Sequence, residues 1–198
     1  MKKMDWLGKI IQKYVKSEYT VLDLGCGIMK STTNVLDIID KDKYSNFTLK
    51  KRKAIHFLQG SRNIKCKSLL GCDIWPKYLD VSKNYFPTIK LGMDELDRFV
   101  DSSFDVVLCI DVLEHLTLED ALSAISHMKR IARKFVIVYT PAQFETNEEH
   151  VENVWNLGKN PFQRHHCFLS PDKLKELGFD ISFPEPDKNT FAIFKNSN

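Results

Sequence analysis

TVLDLGCG, from Thr20 to Gly27, is the stretch that decides the fold. Its apolar, strand-forming residues end in a Gly-x-Gly turn, and residues suited to a helix follow from about Ser31. Glycines let the backbone approach a ligand with no Cβ in the way, and exposed N–H groups at the start of a helix attract anionic groups. The stretch therefore predicts a strand, a tight turn and a helix start that together bind a small anionic or zwitterionic ligand.

Length and composition predict one compact domain. The chain has 198 residues, of which 43% are hydrophobic. A chain of this length can bury roughly 70% of the surface that its unfolded form exposes, so we expect a single domain over 1–198. No apolar run approaches the roughly 20 residues that cross a bilayer, and the lysine-containing N-terminal segment lacks the apolar core of a signal peptide. We expect a soluble, cytoplasmic protein without a membrane span.

The cysteines do not predict a disulfide framework or a metal site. They are odd in number and have no C-x-x-C spacing, so we expect reduced, mostly buried thiols. The run His165-His166-Cys167 places possible metal ligands side by side, but it lacks a second pair at zinc-like spacing. We therefore expect no metal. The cysteines are Cys26, Cys66, Cys72, Cys109 and Cys167.

The net charge of +3 is unevenly distributed. The segment Lys41–Lys67 holds nine basic residues and one acid, which gives it +8 and leaves −5 for the rest of the chain. Such asymmetry indicates either contact with an anionic partner or a solvated face. Little in the segment is periodic, so we interpret it as a basic insertion at about 41–67.

Strand-like and helix-like runs alternate along the chain. This alternation predicts an α/β fold, a doubly wound, Rossmann-like and mostly parallel sheet. No helix separates the last two strands, which favours an antiparallel C-terminal hairpin, and the polar connection at about 142–168 is of a length that is usually functional. The predicted strands are 19–24, 68–74, 88–91, 104–111, 134–139, 180–183 and 190–195, and the predicted helices are 5–16, 31–39, 76–85, one from 117 and one from 170 to 178.

Three further stretches, each at the end of a predicted strand, extend the opening pattern. They are GCDI at Gly71–Ile74, SFDVVL at Ser103–Leu108 and DVLEHL at Asp111–Leu116. Together with VLDLGCG at Val21–Gly27, and in this order, they resemble the class I S-adenosylmethionine-dependent methyltransferases, in particular the type 11 group. The resemblance covers about 19 to 142 well and the C-terminal part loosely. It implies an enzyme whose cofactor is S-adenosylmethionine.

The resemblance also implies roles for individual residues at the carboxyl ends of the strands, where such sheets bind ligands. The glycine turn would back the methionine part of the cofactor, Asp73 would accept hydrogen bonds from the ribose hydroxyls, and Asp94 lies at the position that contacts adenine. The residues themselves leave another interpretation open, in which Asp23 only orders the turn and Asp73 caps the helix beginning near Pro76. The expected cofactor-binding residues are Asp23, Gly25, Cys26, Gly27, Asp73, Ile74, Met93, Asp94 and Asp111.

Two other nucleotide-binding patterns fit less well. A nicotinamide-binding fingerprint needs a third glycine where this chain has Lys30, and an acid about 20 residues on, whereas Asp73 lies 46 residues after Gly27. No Gly-Lys-Ser/Thr follows the turn, so the P-loop is excluded.

Methyl transfer is an in-line displacement at a sulfonium carbon. The protein must align the acceptor, exclude water and, for an oxygen acceptor, remove a proton. Asp111 and His115 follow the predicted central strand, and His165 and His166 lie in the connection at 142–168, which in the type 11 group commonly covers the acceptor. These four residues are the expected catalytic candidates, because an imidazole titrates in the right range. Alternatively, His115 only packs or hydrogen-bonds at a helix start.

We expect transfer of a methyl group to an oxygen or nitrogen of a small-molecule or glycan-type acceptor. The segments at 41–67 and 142–168 would recognise that acceptor. One alternative is an enzyme acting on RNA or another polyanion through Lys41–Lys67, which the charge favours and the scarcity of aromatic residues there opposes. The other is a non-catalytic cofactor-binding protein, which the intact Gly25, Gly27 and Asp73 oppose.

Overall fold

The computed structural model describes residues 5–27, 64–83, 86–144, 146–147, 151–152, 157–185 and 189–197. The predicted helix at 31–39 and the basic segment up to position 63 lie outside these residues. Among the described residues, no helix is long and apolar enough to cross a membrane.

The described residues form one sheet of seven strands in the order β3-β2-β1-β4-β5-β7-β6. The neighbours among β1 to β5 run parallel, whereas β7 is antiparallel to both β5 and β6. The structure therefore confirms a mostly parallel sheet that ends in an antiparallel hairpin. The strands are β1 (Thr20–Leu24), β2 (Ser68–Asp73), β3 (Thr88–Lys90), β4 (Phe104–Ile110), β5 (Ala132–Pro141), β6 (Asp180–Glu185) and β7 (Asn189–Lys195).

Four α-helices and three short 3₁₀ segments accompany the sheet in the described parts of the chain. The helix predicted at 5–16 ends at Gln12, and the one predicted at 76–85 ends at Ser82. The 3₁₀ segments are Met93–Arg98, Leu113–His115 and Pro161–Gln163. The helices are α1 (Asp5–Gln12), α2 (Pro76–Ser82), α3 (Leu118–Ile131) and α4 (Pro171–Glu176).

Strand β4 lies at the centre of two hydrophobic layers. All of its residues after Phe104 are buried, as expected for a parallel strand covered on both faces. Val107 packs in the cluster that contains Met128 of α3, whereas Val106 packs in the cluster that contains Ile11 of α1. The alternation along β4 therefore places helices on both faces, which is the doubly wound architecture.

Helix α3 begins and packs as its sequence predicts. The Thr117 hydroxyl accepts a hydrogen bond from the Asp120 backbone N–H at 3.2 Å, which satisfies a donor of the first turn. Its buried face presents Ala121, Ile125 and Met128 to the core. Strand β5 follows directly and is longer than predicted, because β4 and β7 supply hydrogen-bonding partners along its two edges.

The strand order creates the crevice that positions the site. From β1 the chain continues to β2 on one side, while β4 lies on the other side of β1. Ligands of open α/β sheets bind at such a switch point, outside the carboxyl ends of the strands. The residues that follow β1, β2 and β4 therefore line one site.

Candidate functional site

The turn after β1 requires glycine. Gly25 and Gly27 have φ angles of +64° and +58°, in the left-handed region that L-residues with a side chain avoid. A Cβ built on Gly25 would lie 2.3 Å from Cγ2 of Val112, which follows β4. The missing side chain thus lets the β1 turn lie directly against the β4 loop, across the switch point.

Asp73, the last residue of β2, ties this turn to α2. Its Oδ2 accepts the N–H of Gly27 at 2.9 Å, and its Oδ1 accepts the N–H of Trp75 at 2.8 Å. The second bond satisfies the backbone N–H of Trp75, the residue before α2, but it does not cap a donor of the helix's first turn. A carboxylate has about four lone-pair sites, so both bonds are compatible with further bonds from ribose hydroxyls.

Two more hydrogen bonds hold the glycine turn in place. The Cys26 N–H donates to the Cys72 carbonyl at 2.8 Å, and the Ser82 hydroxyl donates to the Gly27 carbonyl at 2.6 Å. Cys26 is fully buried, so its predicted contact with a cofactor stays a prediction. Ser82 had no signal in the sequence beyond its place in a predicted helix. The turn is therefore fixed in shape without any ligand.

Asp23 lies beneath the turn and is fully buried. Burial, together with the negative charges of Asp23 and Asp73, raises the pKa of the Cys72 thiol to about 12. Cys72 is therefore a neutral, buried thiol. The burial of Asp23 fits a role in ordering the turn, and its direct contact with a cofactor stays a prediction.

The ends of β2 and β3 bring a second group of predicted residues together. A Cβ built on Gly92 would lie 2.2 Å from Oδ1 of Asp94 and 3.5 Å from Cδ1 of Ile74. Ile74 and Asp94 are both exposed, while Met93 packs partly against the core. Ile74, Met93 and Asp94 therefore border one exposed surface next to Asp73, on the side of the crevice away from β4.

Asp111 occupies a strained position at the end of β4. Its φ is +50°, and its N–H donates to the Tyr139 carbonyl of β5 at 2.7 Å. Left-handed backbone at a residue with a side chain persists only where the surroundings enforce it, and such residues cluster at functional sites. Asp111 lies just before Val112, the residue against which the glycine turn packs.

The predicted histidines separate into two environments. The rings of His115 and His165 lie 4.9 Å apart between centroids, and both are half-buried. The His166 side chain is exposed, although its backbone N–H donates to the Glu114 carbonyl at 2.8 Å. The structure thus brings His115 and His165 together and leaves the His166 imidazole at the surface.

Glu114 joins the β4 loop to the late connection, and sequence reasoning assigned it no role. It is 5% exposed, and its Oε2 accepts the Thr140 hydroxyl at 3.1 Å. Its carbonyl accepts the N–H groups of His166 and Cys167. The signal available in the sequence was an acid directly before His115 in the DVLEHL stretch.

Cys167 belongs to the core of this junction. Its Sγ donates to the Leu113 carbonyl at 3.2 Å. Burial, and then the charge of Glu114, raise the pKa of the Cys167 thiol. All five cysteines are free thiols, and all but Cys66 are buried.

Comparisons with known proteins agree with this geometry. The family described as a methyltransferase domain matches residues 55–139. MJ0638, an uncharacterized protein of Methanocaldococcus jannaschii, is 30% identical over 126 residues, which cover 61% of this chain and 52% of that protein. The chain therefore spans about half the length of this curated relative.

Solved structures share the fold at low sequence identity. A SAM-dependent methyltransferase from Archaeoglobus fulgidus superimposes with a TM-score of 0.57 at 16% identity, covering 97% of this chain and 92% of that chain. The 1,6-didemethyltoxoflavin-N1-methyltransferase of Burkholderia thailandensis, with bound 1,6-didemethyltoxoflavin and S-adenosylhomocysteine, gives 0.55 at 11% identity, covering 100% and 80%. Over residues 55–139 the chain is therefore similar to a methyltransferase domain, and its fold is that of solved S-adenosylmethionine-dependent methyltransferases.

Proposed function

We propose that this protein transfers the methyl group of S-adenosylmethionine to an oxygen or nitrogen of a small-molecule or glycan-type acceptor. The observation that carries the proposal is the glycine turn, held by Asp73 against the β4 loop at the switch point of the sheet. S-adenosylmethionine supplies an activated methyl group on its sulfonium sulfur. The residues of the chain bind it, orient the acceptor, exclude water and accept a proton.

The residues at the ends of β1, β2 and β3 fit the parts of this cofactor. The backbone at Gly25 and Gly27 would hold the methionine part of the cofactor, because the turn lies at the carboxyl end of β1 at the switch point. Asp73 would accept the ribose hydroxyls, and a hydrogen bond to a charged group contributes roughly 1.5–3 kcal/mol. Ile74 offers an exposed apolar side chain to adenine, next to Met93 and Asp94.

The acceptor side would be built by the β4 loop and the connection at 142–168. Asp111, His115 and His165 lie on these two segments, which the Glu114 carbonyl joins. For an oxygen acceptor, one imidazole among His115, His165 and His166 would accept the hydroxyl proton as the methyl group moves. A nitrogen acceptor is also consistent, because alignment and exclusion of water carry most of the catalysis.

A small acceptor has support from one structural neighbour. The Burkholderia thailandensis enzyme has 1,6-didemethyltoxoflavin and S-adenosylhomocysteine bound in a chain of the same fold. The polyanion alternative rests on the +8 charge of Lys41–Lys67. If that segment neutralised several phosphates, acceptor affinity would fall steeply with salt concentration, whereas a small acceptor predicts a shallow dependence.

Isothermal titration calorimetry with S-adenosylmethionine tests the cofactor site. We compare Asp94→Asn with Asp97→Asn, because both residues are exposed on the same 3₁₀ segment and Asp94, unlike Asp97, is among the nearest neighbours of the Cβ position at Gly92. We expect weaker binding for Asp94→Asn and wild-type binding for Asp97→Asn.

Asp73→Ala provides the stronger perturbation in the same titration. Loss of one charge-assisted hydrogen bond predicts an affinity about ten- to a hundredfold lower. The folding of this variant must be checked by urea unfolding, because the change also removes the carboxylate that accepts the N–H groups of Gly27 and Trp75. An absence of binding to the wild-type protein would overturn the proposal. Binding without formation of S-adenosylhomocysteine over a broad acceptor panel would favour the non-catalytic alternative.

A further inference from the structure

The described residues contain a cluster that sequence spacing did not predict. Glu114, His115 and His165 each offer one ligand atom, and these atoms all lie within 4.8 Å of one another. The residues come from the 3₁₀ segment after β4 and from the late connection, about 50 residues apart in sequence. His165-His166-Cys167 lacked a second ligand pair in the sequence, and the fold supplies that pair from the β4 loop.

The cluster has the composition of a transition-metal site. Two imidazoles and one carboxylate are the protein ligands of many catalytic zinc centres, and the same set suits Co²⁺ and Fe²⁺. Mg²⁺ and Ca²⁺ prefer oxygen ligands, so this donor set disfavours them. Three protein ligands also leave at least one coordination position for water or for an acceptor oxygen.

Hydrogen bonds outside the cluster orient its members as a metal site requires. Nδ1 of His115 lies 3.3 Å from the Arg164 carbonyl. A carbonyl oxygen only accepts, so Nδ1 carries the proton and the lone pair of the neutral ring is on Nε2. Histidine ligands of metals commonly donate their other N–H to a backbone carbonyl in this way.

Hydrogen bonds also hold the other two residues of the cluster, Glu114 and His165. The Thr140 hydroxyl donates to the buried carboxylate of Glu114 at 3.1 Å. Oδ1 of Asn147 accepts the backbone N–H of His165 at 2.9 Å, and the amide of the same side chain donates to the Gln163 carbonyl. Buried carboxylates in proteins are paired or coordinate metals, so the burial of Glu114 fits this role.

The two other candidate ligands next to His165, His166 and Cys167, are not part of the cluster. The Cys167 thiol donates to the Leu113 carbonyl, and the His166 imidazole is exposed. Bond lengths of about 2.0–2.2 Å put tetrahedral ligands of one ion about 3.3–3.6 Å apart. The ligand atoms lie within 4.8 Å of one another, so binding an ion would bring the most distant pair closer by at most about 1.5 Å. Rotation of the half-buried imidazoles of His115 and His165 can supply this movement.

We infer that Glu114, His115 and His165 bind a divalent transition-metal ion of the Zn²⁺ or Co²⁺ type. The ligands come from the β4 loop and from the connection at 142–168, the two segments proposed to bind the acceptor. The ion would therefore orient an oxygen of the acceptor, a role that rests on the proposed function. With the ion held by His115 and His165, His166 is the imidazole that remains for proton removal.

Titration of chelator-treated, full-length protein with Co²⁺ tests the site. The visible absorption of bound Co²⁺ reports coordination directly, and competition with Zn²⁺ gives the relative affinity. We expect one Co²⁺ per chain, displaced by Zn²⁺ and not by Mg²⁺. His165→Ala should weaken Co²⁺ binding at least tenfold, and Glu114→Gln should act in the same direction if circular dichroism shows it folded.

His166→Ala is the matched control, because it removes an adjacent imidazole outside the cluster. We expect Co²⁺ binding equal to that of the wild type. The inference is overturned if wild-type protein takes up no stoichiometric Co²⁺, if His165→Ala binds as tightly as wild type, or if His166→Ala loses as much affinity as His165→Ala. A calorimetric titration with S-adenosylmethionine, run in parallel, separates the two proposals. Cofactor binding without Co²⁺ binding refutes only the metal site. Co²⁺ binding without cofactor binding refutes only the cofactor site.

Discussion

Gly25→Ala tests whether the contact between the glycine turn and the β4 loop organises the crevice. The substitution introduces a Cβ at a residue with φ of +64°, where that Cβ would lie 2.3 Å from Cγ2 of Val112. The perturbation therefore combines backbone strain with a steric clash. The two contributions can be separated, because Val112→Ala removes the clashing methyl group and leaves the backbone angle unchanged.

The expected magnitudes follow from these two contributions. A left-handed L-residue costs roughly 1–2 kcal/mol. Overpacking a tight contact adds about 1–3 kcal/mol, so Gly25→Ala should destabilise the fold by about 2–5 kcal/mol. Val112 is 8% exposed, and losing its two methyl groups should cost about 2 kcal/mol by itself. In the double variant the clash is gone, so the combined loss should be smaller than the sum by about 1–3 kcal/mol.

Urea unfolding of the wild type, both single variants and the double variant measures this coupling. Gly178→Ala is the matched control, because φ there is +80° and the nearest atom to its Cβ would be at an ordinary contact distance of 3.5 Å. We expect Gly178→Ala to cost only the backbone strain and to be additive with Val112→Ala. Additive free energies for Gly25→Ala and Val112→Ala would refute the assigned contact.

Two further predictions concern Asp111 and Asp105. Because Asp111 has φ of +50°, Asp111→Gly should unfold at a higher temperature than Asp111→Ala. Both variants should have a lower rate of methyl transfer. Equal melting temperatures would contradict the assignment of backbone strain to Asp111. Burial alone would raise the pKa of Asp105, but hydrogen bonds from Thr20 and Arg133 outweigh it and hold that pKa below its usual value. The ionised Asp105 carboxylate therefore stabilises the folded state fully above about pH 4, and this contribution is lost as the pH falls further. Asp105→Asn should make the free energy of unfolding depend less on pH below about pH 4. An unchanged pH dependence in that range would contradict the prediction.

The glycine turn, the parallel sheet and the C-terminal hairpin could be predicted from the sequence, because each depends on a local pattern. The apolar run in β4 and the capped apolar stripe of α3 report directly which residues face the core. The predicted ends of the helices and strands were less accurate. Strand β5 extends to Ala132 and Pro141 because neighbouring strands supply hydrogen bonds there, and no single strand carries that information.

The sequence by itself predicted the fold class and indicated the cofactor that we propose, since strand periodicity and the motifs at strand ends are short-range features. Only the tertiary structure decided that Asp73 holds Gly27 and that His165, rather than His166, faces His115. Those contacts join segments that are 46 to 50 residues apart, and they exist because the crossovers of the sheet bring the carboxyl ends of its strands to one edge.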